Sequence, residues 1–177
     1  MSVVDLSGYS FSGKSAVYDL LTCSESFYGF GVNFEFELIR APGGIIDLRE
    51  AISGENWSPI RSSEAIRRYY RLIENLGGNK NLFDRLTKTG NHYDYYFPNF
   101  TQTSIDYLEN FIIGSWNAFW PFSRLQSSKI EIIKYKILSN LSINTLDEVF
   151  LSRVKPDEFD SLTRQYLKKI FKSSYNS

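Results

Sequence analysis

Gly8-Tyr9-Ser10-Phe11-Ser12-Gly13-Lys14-Ser15 decides how this chain is read. The stretch fits G-x-x-x-x-G-K-[ST] at every fixed position. With glycine at about 7% of residues, lysine at roughly 6% and serine plus threonine at roughly 13%, chance yields this pattern in such a length on the order of 1% of the time. Its flanks agree with it. Residues 2–7, Ser-Val-Val-Asp-Leu-Ser, read as a short strand, and Ser15 to Thr22 place Ala16, Val17, Leu20 and Leu21 at helical spacing. Strand, glycine loop and helix are the order that gives the pattern meaning. Gly8 and Gly13 supply the open backbone angles that let the amides of Tyr9, Ser10, Phe11 and Ser12 wrap an anion. The helix that follows points free N–H groups and its positive end at the same place. Lys14 is placed to reach outer phosphates, and Ser15 to hold Mg²⁺ through its hydroxyl.

Moving outward, Phe30, Val32, Phe34, Phe36 and Leu38 alternate with Gly31, Asn33, Glu35, Glu37 and Ile39. That is a period of two, which predicts a second strand with an aromatic inner face. Ala41-Pro42-Gly43-Gly44 ends it as a turn. Ile45 to Ile52 reads either as a short strand or as the start of a helix, and Gly54 to Pro59 as a loop. The remainder reads as helical. A helix capped by Ser62 or Ser63 runs to Leu76, with Ile66, Tyr69, Tyr70, Ile73 and Leu76 on one side and Gly77 at the stop position. A short helix covers Asn81 to Thr87, an ordered loop Thr89 to Thr103, and further helices Ser104 to Trp120, Ser128 to Leu141 and Asn144 to Val154. Pro156, with Asp157 and Glu158 beside it, starts the last helix, whose buried stripe is Phe159, Leu162, Tyr166, Leu167 and Ile170.

Residues 1–23 resemble the Walker A segment of P-loop nucleoside triphosphatases, and the region through Gly43-Gly44-Ile45-Ile46-Asp47-Leu48 is similar to the small kinase and sulfotransferase-like branch. The resemblance implies transfer of a phosphoryl or sulfuryl group from a nucleotide to a small acceptor. It implies ATP or another nucleoside triphosphate with Mg²⁺ for a kinase, or a phosphoadenylyl sulfate without metal for a sulfotransferase. The expected fold is a single α/β P-loop domain over 1–177. Residues 1–55 form its strand–loop–helix–strand core with a small, mainly parallel sheet, and residues 60–177 are largely helical. No β-branched run after Leu48 reads as a buried parallel strand. A core lacking part of a larger domain, acting as a non-catalytic nucleotide-binding module, is therefore the third reading.

Other residues qualify as site candidates. Asp47 suits a Walker B acid holding Mg²⁺ through water, an acceptor-site acid, or a helix-capping turn aspartate. Glu35 and Glu37 lie two apart and so share one strand face, fit for an acceptor, a metal or a paired solvated face. Arg61, Arg67, Arg68 and Arg71 cluster on or before one helix. Arg67 and Arg71 are one turn apart, as a lid clamping phosphate oxygens requires, or as a solvated face paired with Glu64 and Glu74 would also give. His92 is the lone histidine, beside Tyr93, Asp94, Tyr95 and Tyr96, and reads as a loop hydrogen-bonding residue; it excludes a multi-histidine metal site. Cys23 reads as a buried small hydrophobe. Trp116, Phe119 and Trp120 read as core packing.

The 177 residues carry 20 basic and 20 acidic side chains, so no global positive field grips nucleic acid. The balance is uneven: residues 1–123 hold 10 basic against 14 acidic, and residues 124–177 hold 10 against 6. One cysteine forms no intrachain disulfide and suits a reducing compartment. The N-terminus lacks a basic segment ahead of an apolar core, and the longest apolar stretch, Ile105 to Trp120, is interrupted by Asp106 and Glu109. The expectation is a cytoplasmic protein whose partners are a nucleotide and a small-molecule acceptor.

Overall fold

The computed structural model describes residue 6, 13–24, 26–27, 29–30, 34–78, 93–118, 133 and 146–175. Within them the chain is a helical assembly with one small sheet. The elements are α1 (Lys14–Thr22), a 3-10 turn (Glu37–Ile39), α2 (Ile45–Ser53), α3 (Pro59–Gly77), the single turn α4 (Tyr93–Tyr96), α5 (Phe100–Glu109), β1 (Gly114–Ala118), β2 (Asp147–Leu151) and α6 (Pro156–Tyr175).

Helix α3 is the hub, packed against α2, α4, α5 and β2. Ser58 starts it, its hydroxyl accepting the Arg61 N–H, and Pro59 takes the first helical position, where no amide partner is lost. The cap thus lies four residues before Ser62, and the stretch ending in Pro59 feeds directly into the helix. Ile66, Tyr69, Ile73 and Leu76 form the buried stripe expected of it, and the helix ends at Gly77. Helix α6 begins at Pro156 as anticipated, with Phe159, Tyr166 and Ile170 buried and Leu162 and Leu167 partly so.

The sheet departs from expectation. Among the described residues it is not parallel but a two-stranded antiparallel ladder, pairing Gly114 with Leu151 through Ala118 with Asp147. Both strands fall where helices were anticipated. The helix expected to reach Trp120 stops at Glu109, because the Asn110 side chain takes the Asp106 and Tyr107 carbonyls. The β-branched Ile112 and Ile113 then favour extended chain over another helical turn. In the segment expected as the helix Asn144–Val154, Val149 and Phe150 turn inward against α3. Ser62 and Ser63 are fully buried there, small enough to admit the strand, and the Ser63 hydroxyl accepts the Phe150 N–H.

The second expected strand is also corrected. Its described part, residues 34–39, is irregular and then winds into the 3-10 turn. Its alternation is real but serves packing. Phe30, Phe34 and Phe36 sit among Tyr93, Tyr96, Phe97 and Phe171, and Leu38 is fully buried. Where a neighbouring strand would satisfy the backbone, the buried Tyr93 hydroxyl does so, accepting the Glu37 N–H at 2.6 Å and donating to the Glu35 carbonyl at 2.7 Å. A second aromatic group joins α3, α5 and α6, with Tyr107 stacked on Tyr166 at 4.2 Å and Phe111 on Phe159 at 4.9 Å.

Ile45 onward is helix α2, settling that alternative, and the loop expected over Thr89–Thr103 holds α4 and the start of α5. Asp94 receives the Thr101 N–H and hydroxyl and thereby pins α4 to α5. The strand expected at 2–7, and the helices expected at 81–87 and 128–141, lie outside the described residues except Leu6 and Ile133, which are too few to show an element. No described helix is long and apolar enough to cross a membrane.

Candidate functional site

Of the glycine-rich octet, Gly13, Lys14 and Ser15 are described; Gly8, Tyr9, Ser10, Phe11 and Ser12 lie outside the described residues. Gly13 holds φ 79° and ψ 7°, the left-handed region that any side chain makes costly. It sits immediately before α1, and its carbonyl accepts the Val17 N–H at 3.3 Å as the helix starts. Lys14 and Ser15 occupy the first turn, where backbone N–H groups have no partner within the helix. Ser15 is exposed. A left-handed glycine, a helix N-terminus, a lysine and a hydroxyl thus stand together at one point.

The Lys14 ammonium is paired with the Glu35 carboxylate. The other oxygen of Glu35 receives Arg40 Nη2 at 3.0 Å, and the same nitrogen lies 3.4 Å from Glu37 Oε1. Lys14, Glu35, Arg40 and Glu37 therefore form one alternating chain of charge. The hydrogen bond from Lys14 holds the Glu35 carboxyl below its usual range, with Glu37 and Arg40 acting in the same direction. Tyr93 anchors the segment from below. Burial pushes its hydroxyl far above the ordinary tyrosine range, so it stays protonated and keeps donating to the Glu35 carbonyl. Sequence reasoning picked out Lys14, Glu35 and Glu37 but missed Arg40 and Tyr93. The signal for Tyr93 was the aromatic run from Tyr93 to Phe97, which marks a buried turn more than a loop.

Helix α1 itself buries none of its residues, and Val17 and Leu20 are 46% and 75% exposed. Tyr18 also ties it to the body, lying over Gly29 where any side chain would clash. Cys23, expected to be buried, is exposed at the end of α1, because this helix has no core-facing side in which to hide it.

The remaining candidates do not join Lys14. Asp47 stands in the first turn of α2, its carboxylate accepting the Gly43 N–H at 2.7 Å, which is the helix-capping role and not a strand-end acid. Arg61 donates to the Asn56 carbonyl. Arg67 donates to Asp147 at 2.8 Å and so fastens α3 to β2. Arg68 pairs with Glu64 one turn away, and Arg71 is exposed. His92, Phe119 and Trp120 lie outside the described residues, and Trp116 is half exposed on β1.

Elsewhere, a cavity of about 450 Å³ opens between the end of α2 and the β2–α6 connection, lined by Ile52, Trp57, Arg153 and Lys155 among others. Arg153 lies 4.8 Å over the Trp57 ring, whose N–H donates to the Ser152 carbonyl. None of the candidate site residues lines it. Among the described residues, no three His, Cys, Asp or Glu side chains converge as a metal cage. Comparison of the chain with protein-family models, with curated proteins and with solved structures finds no match.

Proposed function

We infer that the chain binds the phosphates of a nucleotide, best a nucleoside triphosphate, at Gly8–Ser15. The observation that carries this reading is Gly13 in the left-handed region at the head of α1, with Lys14 and Ser15 in the first turn. That geometry is what an anion cradle needs and what a surface helix does not. The residues suit a triphosphate with Mg²⁺: the Ser15 hydroxyl would hold the ion, whose charge would draw the phosphate oxygens together. Lys14 would face the outer phosphates as a point charge.

Binding is a better-supported conclusion than turnover. Phosphoryl transfer to a small acceptor asks for an acid to orient the acceptor and for cations on the equatorial oxygens. Asp47 serves the Gly43 amide and Arg67 serves Asp147. Among the described candidates, kinase-like transfer therefore draws on Lys14 and Ser15 at the head of α1, and a non-catalytic nucleotide-binding role follows more directly. Sulfuryl transfer is the remaining reading and separates from both by its donor and its indifference to Mg²⁺.

Calorimetric titration with ATP, GTP and adenosine 3′,5′-bisphosphate, each with and without Mg²⁺, tests the reading. A triphosphate should bind, and Mg²⁺ should strengthen it. Lys14→Ala should weaken triphosphate binding by about 1.5–3 kcal/mol and monophosphate binding by much less, since a charge-assisted contact to the outer phosphates is lost. Absence of binding by all three ligands at millimolar concentration refutes it. Equal losses for triphosphate and monophosphate would reduce Lys14 to a support of the loop.

A further inference from the structure

We propose that Glu35 is an internal stand-in for the outer phosphate, holding the Lys14 ammonium until a polyphosphate takes it. The proposal rests on the nucleotide reading of Gly8–Ser15 and adds a residue that governs access to that site. Three observations carry it. First, the Glu35 carboxylate already sits on Lys14, the one cation in the first turn of α1. An arriving phosphate must displace a carboxylate there, not only water. Second, Glu35 is presented by fixed backbone. Its carbonyl and the Glu37 N–H are both bound by the fully buried Tyr93 hydroxyl, so the carboxylate is held towards α1 from a seat in the aromatic core. Third, releasing Lys14 does not strand Glu35. Arg40 is already 3.0 Å from its second oxygen and also reaches Glu37, so the charge has somewhere to go. A carboxylate with a lysine on one side and an arginine on the other can give up one cation and keep the other.

The exchange is graded and not a locked gate. Lys14 and Glu35 are 29% and 44% exposed, so water weakens their attraction. Removing the carboxylate should therefore tighten polyphosphate binding by about two- to fivefold, the range an exposed ion pair converts to. An orthophosphate seated in the backbone cradle leaves the lysine with Glu35 and should not feel the change.

The test uses inorganic tripolyphosphate and inorganic orthophosphate as base-independent probes, titrated by calorimetry in the presence of Mg²⁺. Glu35→Gln keeps the backbone carbonyl that Tyr93 uses and should melt with the parent. Glu55→Gln removes an equal charge from the exposed loop between α2 and α3, outside the Lys14–Glu35–Arg40–Glu37 chain, and serves as the control. The expected result is tripolyphosphate binding two- to fivefold tighter in Glu35→Gln, unchanged in Glu55→Gln, with orthophosphate unchanged in both. Binding seen only in Glu35→Gln supports the proposal equally. Tripolyphosphate affinity that is unaltered or weaker in Glu35→Gln overturns it, as does the same gain for orthophosphate or for Glu55→Gln. So does failure of tripolyphosphate to bind either protein. The nucleotide reading is judged separately by the ATP, GTP and bisphosphate panel and its sensitivity to Lys14→Ala.

Discussion

Replacing Arg67 by alanine should destabilise the fold while leaving ligand binding intact, the reverse of what a lid arginine would do. Arg67 Nη2 lies 2.8 Å from Asp147 Oδ1, and the two side chains are 17% and 15% exposed. The pair joins the middle of α3 to the first residue of β2, eighty positions along the chain. Exposed ion pairs contribute about 0–1 kcal/mol, and a fully buried pair that loses one partner costs about 3–5 kcal/mol because the other charge is stranded. At this burial the expected loss is about 2–3 kcal/mol. For a chain of this size that lowers the melting temperature by roughly 5–10 °C. Arg68 offers an internal standard: its pair with Glu64 leaves the arginine 53% exposed, and Arg68→Ala should cost under about 0.5 kcal/mol. Urea denaturation followed by circular dichroism gives the free energies, with the slope checked for constancy. Combining Arg67→Ala with Asp147→Ala closes a double-mutant cycle, in which the second replacement should cost less than it does alone. An Arg67→Ala protein within about 0.5 kcal/mol of the parent, or a coupling near zero, would refute the assignment of Arg67 to structure.

Two further outcomes are expected. Gly13→Ala meets no neighbouring atom, so its cost is the left-handed backbone alone, about 1–2 kcal/mol, and it should appear as faster amide exchange at the start of α1; unchanged exchange there would contradict the φ of 79°. Tyr69, Tyr93, Tyr107 and Tyr166 are held above the ordinary tyrosine range, chiefly by burial. Since the unfolded chain releases these protons first, stability should be intact below about pH 9 and fall as pH rises through about 10 and beyond. Absorbance at 295 nm that reports all 12 tyrosines ionising normally in the folded protein would rule this out.

The helices were largely legible because their signals are local. Pro156 with Asp157 and Glu158 announces α6, and Ile66, Tyr69, Ile73 and Leu76 ahead of Gly77 announce α3. The sheet was not legible because its cause is remote: Gly114–Ala118 becomes a strand only when Asp147–Leu151 arrives to pair with it. The apolar spacing at Ile105, Leu108, Phe111 and Ile112 runs past the point where Asn110 ends the helix, so periodicity overshot the boundary. In the described part of the alternating stretch, Phe34, Phe36 and Leu38 are turned to packing but pair with no strand, since one tyrosine hydroxyl takes the backbone of Glu35 and Glu37. At the site, the octet marks Gly13, Lys14 and Ser15, but the Glu35 that pairs with Lys14 lies on an irregular segment held by Tyr93 of a distant aromatic turn, which no spacing rule connects to the octet. Charge clustering on α3 suggests a common purpose for Arg61, Arg67, Arg68 and Arg71, yet Arg61, Arg67 and Arg68 meet three different neighbours, Asn56, Asp147 and Glu64, and Arg71 is exposed.

That α1 buries none of its residues bears on how a ligand could ever be detected. A ligand stabilises whatever unit must open to release it. The contacts of α1 with the body include the Lys14–Glu35 pair and the Tyr18–Gly29 contact. Neither resists a subglobal opening in which α1 detaches and the core of α2, α3, α5 and α6 stays folded. Ligand held at the head of α1 would therefore slow the exchange of α1 amides by as much as its affinity allows, while the cooperative melting of the core hardly moves. Screening by thermal shift would then pass over a true ligand, and direct calorimetry or residue-resolved hydrogen exchange would find it.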